Sequence, residues 1–144
     1  MKPALIFCLI PAASLWAAPP ASSPLGLWKT IDDKTRQPRG LVRIYEQDGA
    51  LFGRIEGSFN PAEAREVCDK CPGEQRNQPV IGLVILRGLK KRGAEYSGGE
   101  ILDPDTGSVY RCRLTVVDNG AKLVVRGYIG LPLAGRSQIW YRAE

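Results

Sequence analysis

Histidine is absent from all 144 residues of the chain. Its absence excludes Ser-His-Asp and Cys-His catalytic arrangements, histidine-containing zinc sites and the usual proton acceptor near neutral pH. An enzyme would have to use carboxylates, tyrosine, lysine or cysteine. Glu100 and Asp103 are three positions apart at the end of a predicted strand, so in extended backbone they point to opposite faces and form no catalytic pair. We predict no catalytic residue and no cofactor.

Long apolar runs are also scarce, and the one that occurs lies at the start of the chain. Lys2 precedes an apolar stretch from Ala4 to Leu15, and small residues follow around Ala17 to Ala21. This pattern is typical of a secretory signal peptide. The apolar stretch is shorter than the roughly 20 residues that cross a bilayer. We therefore expect an exported protein, periplasmic or secreted, that is not transmembrane.

The predicted domain organisation follows from that leader. Residues 1–18 form the signal peptide, with the cleavage site between 17 and 21, and residues 19–24 form a linker. Residues 25–144 then make one small domain.

The excess of positive charge is only modest. Removal of Lys2 with the leader leaves 19 basic and 15 acidic residues, a net charge of +4. The one basic cluster, LKKRG at Leu89–Gly93, is typical of a solvated hairpin tip. Nucleic-acid binding needs a basic face with stacking aromatic residues, so we predict no nucleic-acid partner.

No amphipathic helix is indicated after residue 24, and short β-rich runs alternate with turn signals instead. An Asp48-Gly49 pair between two such runs predicts a β-hairpin. Nearest-neighbour pairing of eight strands predicts an all-β, up-and-down antiparallel barrel. A two-sheet sandwich is the alternative, but sandwiches need longer connections and only residues 60–79 form a long loop. The predicted strands are Gly26–Ile31, Leu41–Gln47, Ala50–Phe59, Val80–Leu89, 94–102, 108–118, 122–129 and 136–143.

The fourth predicted strand differs from the others because both of its faces are apolar. Val80, Val84 and Leu86 alternate with apolar residues of the opposite face. An outer barrel wall is normally wet, and an exposed apolar face is a liability. We expect either the long loop or another subunit to cover this strand.

Gly26-Leu27-Trp28 opens the first strand, and Arg142 lies in the last. This arrangement resembles the calycins, the lipocalins and their relatives, in which a basic residue of the final strand lies across a tryptophan of the first. The resemblance implies that Arg142 lies on Trp28.

A longer series of motifs carries a second resemblance. GLWKTIDDKT, VRIYE, LFGRIE, CDKCPGE, PVIGL, GGEILDPDTGSVYRCRL and LVVRGYIGLPLAGRSQIWYR occur in this order. Over residues 25–142 the chain resembles a bacterial domain-of-unknown-function family of small exported proteins with a lipocalin-like barrel. The resemblance implies a small apolar pocket and no established reaction.

The CDKC motif at Cys68–Cys71 suggests a redox centre, half a metal site or a local disulfide. Redox CxxC motifs open a helix within a βαβ unit, whereas this one lies in a loop between strands. A metal site would need further ligands, and Cys112 is the one candidate, so we predict no metal. In an oxidising compartment we favour a Cys68–Cys71 disulfide with Cys112 buried and free, although a bridge from the loop to Cys112 stays open.

Aromatic and polar residues near the predicted bore are the candidate ligand contacts. Binding sites of small molecules are mostly apolar with a few placed polar groups, and the set that fits is Trp28, Tyr110, Arg126, Tyr128, Gln138 and Trp140. We expect an exported carrier that holds a small apolar or amphipathic molecule, with Arg126 or Tyr128 as polar anchors. The alternative is an interaction protein or homodimer with a filled barrel. It would use the apolar fourth strand and the loop at 130–135.

Overall fold

The computed structural model describes residues 23–144, so the predicted leader and most of the predicted linker lie outside the described part. The eight strands, in chain order, form one closed antiparallel barrel in which each strand pairs with its neighbours in sequence. The predicted up-and-down barrel is thus confirmed. The strands are β1 Gly26–Ile31, β2 Pro38–Gln47, β3 Ala50–Ser58, β4 Val84–Arg92, β5 Glu95–Leu102, β6 Val109–Val117, β7 Lys122–Tyr128 and β8 Gly135–Arg142.

The barrel closes where the first strand meets the last. Trp28 is the register partner of Arg142, and Lys29 is the partner of Tyr141. The amide of Ala143 also donates to the carbonyl of Leu27 at 2.8 Å. Closure pairs both edge strands and so removes the exposed edges on which open sheets aggregate.

The predicted β2–β3 hairpin is confirmed. Asp48 and Gly49 both adopt positive φ, 52° and 77°, and Gln47 pairs with Ala50 across the two-residue turn. Two successive residues with positive φ make the tight turn whose twist matches that of paired strands.

The predicted start of the fourth strand was wrong. Residues 80–83 form a turn in which Leu83 donates to the carbonyl of Val80 at 3.1 Å, and Gly82 has φ of 95°. The strand begins at Val84 and extends to Arg92, three residues beyond the predicted end. The prediction placed the first residue of the strand too early because residues 80–83 are also largely apolar. Apolar character alone does not distinguish a strand from a buried turn before it.

Alternate connections of such a barrel lie at the same end. The β1–β2, β3–β4, β5–β6 and β7–β8 connections surround one end, which we call the open end. The segment before β1, the C-terminal residues and the other turns surround the opposite, closed end. Within residues 23–144, the helical segments are 3-10 turns of three residues each. None of these turns has the length and apolar character that crossing a membrane requires.

Candidate functional site

A tryptophan plugs the closed end of the barrel. Trp28 is fully buried, and its indole donates to the carbonyl of Pro24 at 2.7 Å. The guanidinium carbon of Arg142 lies 4.2 Å from the centre of the Trp28 ring. Arg142 also donates to the carbonyls of Gly120, Leu25 and Ser23. One side chain thereby joins the β6–β7 turn, the segment before β1 and the plug.

The middle of the bore is filled by side chains. The inward residues there come from every strand except β5 and are 5% exposed or less: Trp28, Val42, Ile44, Leu51, Leu86, Leu89, Cys112, Leu114, Leu123, Val125 and Trp140. Tyr96 and Val116, at the closed rim, are half-buried and pack against this core. This part of the barrel is a packed core rather than a cavity.

Burial falls toward the open end. The inward side chains of the last layer are half-buried, although the register places them on the same face as the filled layers below: Thr30, Ile55, Ile101, Tyr110 and Gln138. We call this layer the open-end cup. A Cβ added at Gly127 would lie 3.5 Å from Ile101 and 3.6 Å from Tyr110. The missing side chain of Gly127 leaves space that these two residues border.

A short polar chain runs from the core to the rim of the cup. The Trp140 indole donates to Oε1 of Gln138 at 3.2 Å, and Nε2 of Gln138 donates to Oδ2 of Asp33 at 2.8 Å. Asp33 belongs to the β1–β2 connection. Both ends of the Gln138 amide are therefore fixed, which orients a polar group at the mouth.

Two rim connections are held together by an ion pair. Nη1 and Nη2 of Arg39 on β2 each donate to one carboxylate oxygen of Asp105 at 2.7 Å. Arg39 also lies 3.5 Å from Glu63 in the long β3–β4 connection. Hydrogen bonding from Arg39 lowers the pKa of Asp105 below its ordinary value. The pair holds the long connection and the β5–β6 turn at the rim of the barrel.

The predicted Cys68–Cys71 disulfide is present, and both residues are buried. They belong to the same buried cluster as Ile85 and Leu102. Leu86 pairs with the inward Ile101, so Ile85 and Leu102 face the outside of the barrel. The long connection thus covers the outer face of β4, one of the two expected coverings.

This covering corrects part of the interaction hypothesis. Leu83, Ile85 and Leu86 are 2%, 7% and 0% exposed, and Nε2 of Gln75 in the long connection donates to the carbonyl of Val84 at 2.8 Å. The apolar residues of this segment are therefore buried by their own chain, whereas Arg87 and the end of the strand, Lys90–Arg92, are exposed.

The structure separates the predicted ligand contacts into two groups. Trp28, Tyr110, Gln138 and Trp140 face the bore, whereas Arg126 and Tyr128 face outward, and their assignment to the bore was wrong. Arg126 pairs with Arg113 and Tyr128 with Arg111, on the face opposite to the buried Cys112. The reason is alternation along β7, because Leu123 and Val125 take the inward positions.

Because Arg126 points outward, it contacts the β7–β8 connection instead of the bore. Its Nε donates to the carbonyl of Pro132 at 2.8 Å, and its Nη1 donates to the hydroxyl of Ser137 at 3.0 Å. It therefore fixes the base of the β7–β8 connection.

Cys112 is free and fully buried, as predicted. Burial raises the pKa of its thiol to about 12. A protonated thiol inside a packed core is a weak nucleophile. In residues 23–144, no group of three or more His, Cys, Asp or Glu side chains is placed to hold a metal ion.

The ligand contacts predicted from the sequence did not include three residues of the cup, which are Thr30, Ile55 and Ile101. Strict alternation along each strand could have placed Thr30 and Ile55 on the inward face, since Ile55 is four positions from the inward Leu51. Ile101 was harder to place, because β5 contains a register shift between Tyr96 and Gly99.

Comparison with known proteins gives a family and a fold. Residues 26–142 match the model of the bacterial family DUF2147, described as "Uncharacterized protein conserved in bacteria". Among solved structures, protein HP1028 from Helicobacter pylori, described as belonging to the lipocalin family, superposes with a TM-score of 0.73 at 21% identity. The match covers 83% of this chain and 82% of that one. No curated protein matched the sequence.

Proposed function

We propose that this chain, which belongs to the DUF2147 family, is an exported carrier that holds one small amphipathic molecule in the open-end cup. The apolar part of the ligand packs on Ile55 and Ile101. Its polar part meets the hydroxyl of Tyr110 and the amide of Gln138. The proposal assigns the protein binding and no reaction.

The burial gradient along the bore is the observation that carries the proposal. Inward side chains are buried in the middle layers and half-buried in the cup. A half-buried apolar layer with a few oriented polar groups, facing inward in a barrel, is the pattern of a small-molecule site. The lipocalin-like fold supports the same interpretation, since eight-stranded barrels are wide enough to hold one small ligand.

The filled middle layers limit the size of the ligand. Trp28, Leu86 and Leu114 occupy the bore below the cup and are fully buried. A long acyl chain would have to displace them from a closely packed core, at a cost of a few kcal/mol. We therefore propose a compact ligand, such as a short-chain or single-ring amphiphile.

Export is supported by two independent features. Residues 1–18 have the pattern of a signal peptide, and the Cys68–Cys71 disulfide is typical of an oxidising compartment. We propose that the protein acts in the periplasm or outside the cell.

A matched pair of substitutions tests the position of the site. Ile101→Trp fills the cup, and Ile139→Trp adds the same ring at an outward position that is 38% exposed. Titration with the fluorescent apolar probe N-phenyl-1-naphthylamine should give saturable binding to the wild-type chain and to Ile139→Trp. Binding should fall at least about tenfold for Ile101→Trp. Equal binding to all three proteins would place the probe elsewhere and refute the cup as the site.

A second candidate function rests on the β7–β8 connection. Ile129, Leu131 and Leu133 are 69%, 73% and 92% exposed, and clustered exposed apolar side chains mark contact surfaces. On this proposal the connection binds an envelope partner or a second copy of the chain. Light scattering after size exclusion should then show a dimer that Leu131→Ser with Leu133→Ser dissociates. If light scattering shows that the wild-type chain is a monomer at high concentration, the homodimer proposal is refuted.

A further inference from the structure

A groove of about 440 Å³ lies on the outer wall of the barrel, away from the cup. Its walls come from β4, β5, β6 and β7, and its lining residues are Arg92, Glu95, Ser97, Gly98, Gly99, Arg111, Arg113 and Tyr128. The register places Arg111, Arg113 and Tyr128 outside, because the alternating residues Cys112 and Leu114 are fully buried in the bore. The groove and the cup are therefore separate sites.

The lining of the groove is strongly basic. It contains three arginines and one carboxylate, that of Glu95. The nearest oxygen of Glu95 lies 3.7 Å from Nη1 of Arg113, which is beyond hydrogen-bonding distance. Arg92 and Arg111 form no ion pair with any described carboxylate, although Glu100 is the cross-strand neighbour of Arg111. A net positive charge of two is left without a partner.

Arg113 has one buried nitrogen, its Nε, that forms no hydrogen bond with any of residues 23–144. Its guanidinium lies 5.8 Å from the centre of the Tyr128 ring, which holds it in the groove. Arg113 also stands directly opposite Arg126 on β7, and like charges at paired positions destabilise a sheet. A bound anion would offset the repulsion between the two like charges.

The glycines on the floor of the groove bring Arg92 toward the same space. Gly98 has φ of 79°, and a Cβ there would lie 3.0 Å from Nη2 of Arg92. Gly98 lies within a register shift of the β5–β6 pairing. The guanidinium of Arg92 therefore lies over this irregular backbone at the edge of the groove.

We propose that this groove binds a phosphate group carried by a small molecule or by a lipid headgroup. Guanidinium groups match the geometry of phosphate oxygens and bind them through charge-assisted hydrogen bonds. The lining has a net charge of +2, which a phosphate dianion balances. A single carboxylate would balance only half of that positive charge. The volume exceeds that of a bare phosphate, which leaves room for a larger molecule attached to the phosphate group.

Inorganic phosphate is the first probe. We expect saturable binding by isothermal titration calorimetry at low salt, with a shift of the Arg113 Nε–H resonance in ¹H–¹⁵N spectra. Arg111→Gln should weaken binding about tenfold, the loss expected for one charge-assisted hydrogen bond. Arg87→Gln, which removes an exposed outward charge outside the groove, is the matched control and should change binding less than about twofold.

Two further arms identify the source of the phosphate. Glycerol phosphate represents a free small molecule, and vesicles of phosphatidylglycerol in phosphatidylcholine represent a lipid surface. Tighter binding to either than to inorganic phosphate, with the same loss in Arg111→Gln, supports the proposal and names the source. Arg113→Gln tests the contribution of the Arg113 side chain. If Arg113→Gln does not fold, Arg111→Gln alone tests the phosphate site.

The proposal is overturned if none of the three probes binds saturably. It is also overturned if Arg87→Gln weakens binding as much as Arg111→Gln, since that result would show a diffuse charge effect. Binding of N-phenyl-1-naphthylamine in the cup is measured separately, and its outcome does not depend on the groove.

Discussion

Arg39 and Asp105 are 66 positions apart in the chain, yet they form two parallel hydrogen bonds of 2.7 Å at the open end of the barrel. Arg39 belongs to β2 and Asp105 to the turn between β5 and β6. Glu63 of the long connection lies 3.5 Å from the same guanidinium. Three segments of the rim are thus joined through one side chain, and their separation sets the shape of the entrance.

Asp105→Asn should destabilise the folded state by about 0.5–1 kcal/mol. The pair is two-pronged, but the Asp105 side chain is 55% exposed, so solvent screens much of the attraction. Urea unfolding of the variant and of the wild-type chain measures the difference. Asp48→Asn, in the exposed β2–β3 turn at the closed end, is the matched control for loss of one carboxylate.

The same pair predicts a pH dependence with a defined sign. The pKa of Asp105 is lowered in the folded state by the hydrogen bonds from Arg39. Its contribution is therefore complete above the unfolded pKa, near 3.9, and is lost as pH falls through the lower folded value. The stability difference between wild type and Asp105→Asn should shrink below about pH 4. A difference that stays constant from pH 6 to pH 2.5 would contradict this origin.

Arg142→Met should destabilise the barrel by about 2–3 kcal/mol, because hydrogen bonds from a charged donor to three carbonyls and the contact with the Trp28 ring are lost together. Chemical denaturation followed by tryptophan fluorescence measures the loss. Arg136→Met on the same strand, where the side chain is 75% exposed, should change stability by less than about 0.5 kcal/mol. Equal losses of stability in the two variants would contradict the stabilising role of Arg142 at the Trp28 plug.

Replacement of both Cys68 and Cys71 by serine should cost about 2 kcal/mol, the value expected for closing a loop of this length. The loss should be local to the covered outer face of the barrel. Hydrogen exchange should accelerate in residues 60–83 and at Ile85 and Leu102, with little change in β7 and β8. Uniform acceleration across the barrel would show that the disulfide stabilises the whole fold instead.

Cys112 should resist alkylation in the folded protein. Burial raises the pKa of its thiol to about 12, so little thiolate exists at pH 8. Iodoacetamide followed by peptide mass mapping should leave Cys112 unmodified in buffer and label it fully in denaturant. Labelling of Cys112 in buffer at the denatured rate would contradict its burial.

Most of the fold could be predicted from the sequence because its signals are local. Alternation along β6 placed Cys112 and Leu114 inside, and the Asp48-Gly49 pair fixed the β2–β3 hairpin. The position of Arg126 was mistaken because its polar character was given more weight than its place in the alternation. The pairing of Arg39 with Asp105 and the groove around Arg113 depend on contacts between distant strands, which no local pattern records.

Native mass spectrometry of the protein purified from its own host tests the central claim of the open-end cup most directly. The account predicts one small molecule bound per chain, retained by Ile139→Trp and lost from Ile101→Trp. Wild-type protein that carries no bound molecule, together with equal binding of N-phenyl-1-naphthylamine by both variants, would contradict it.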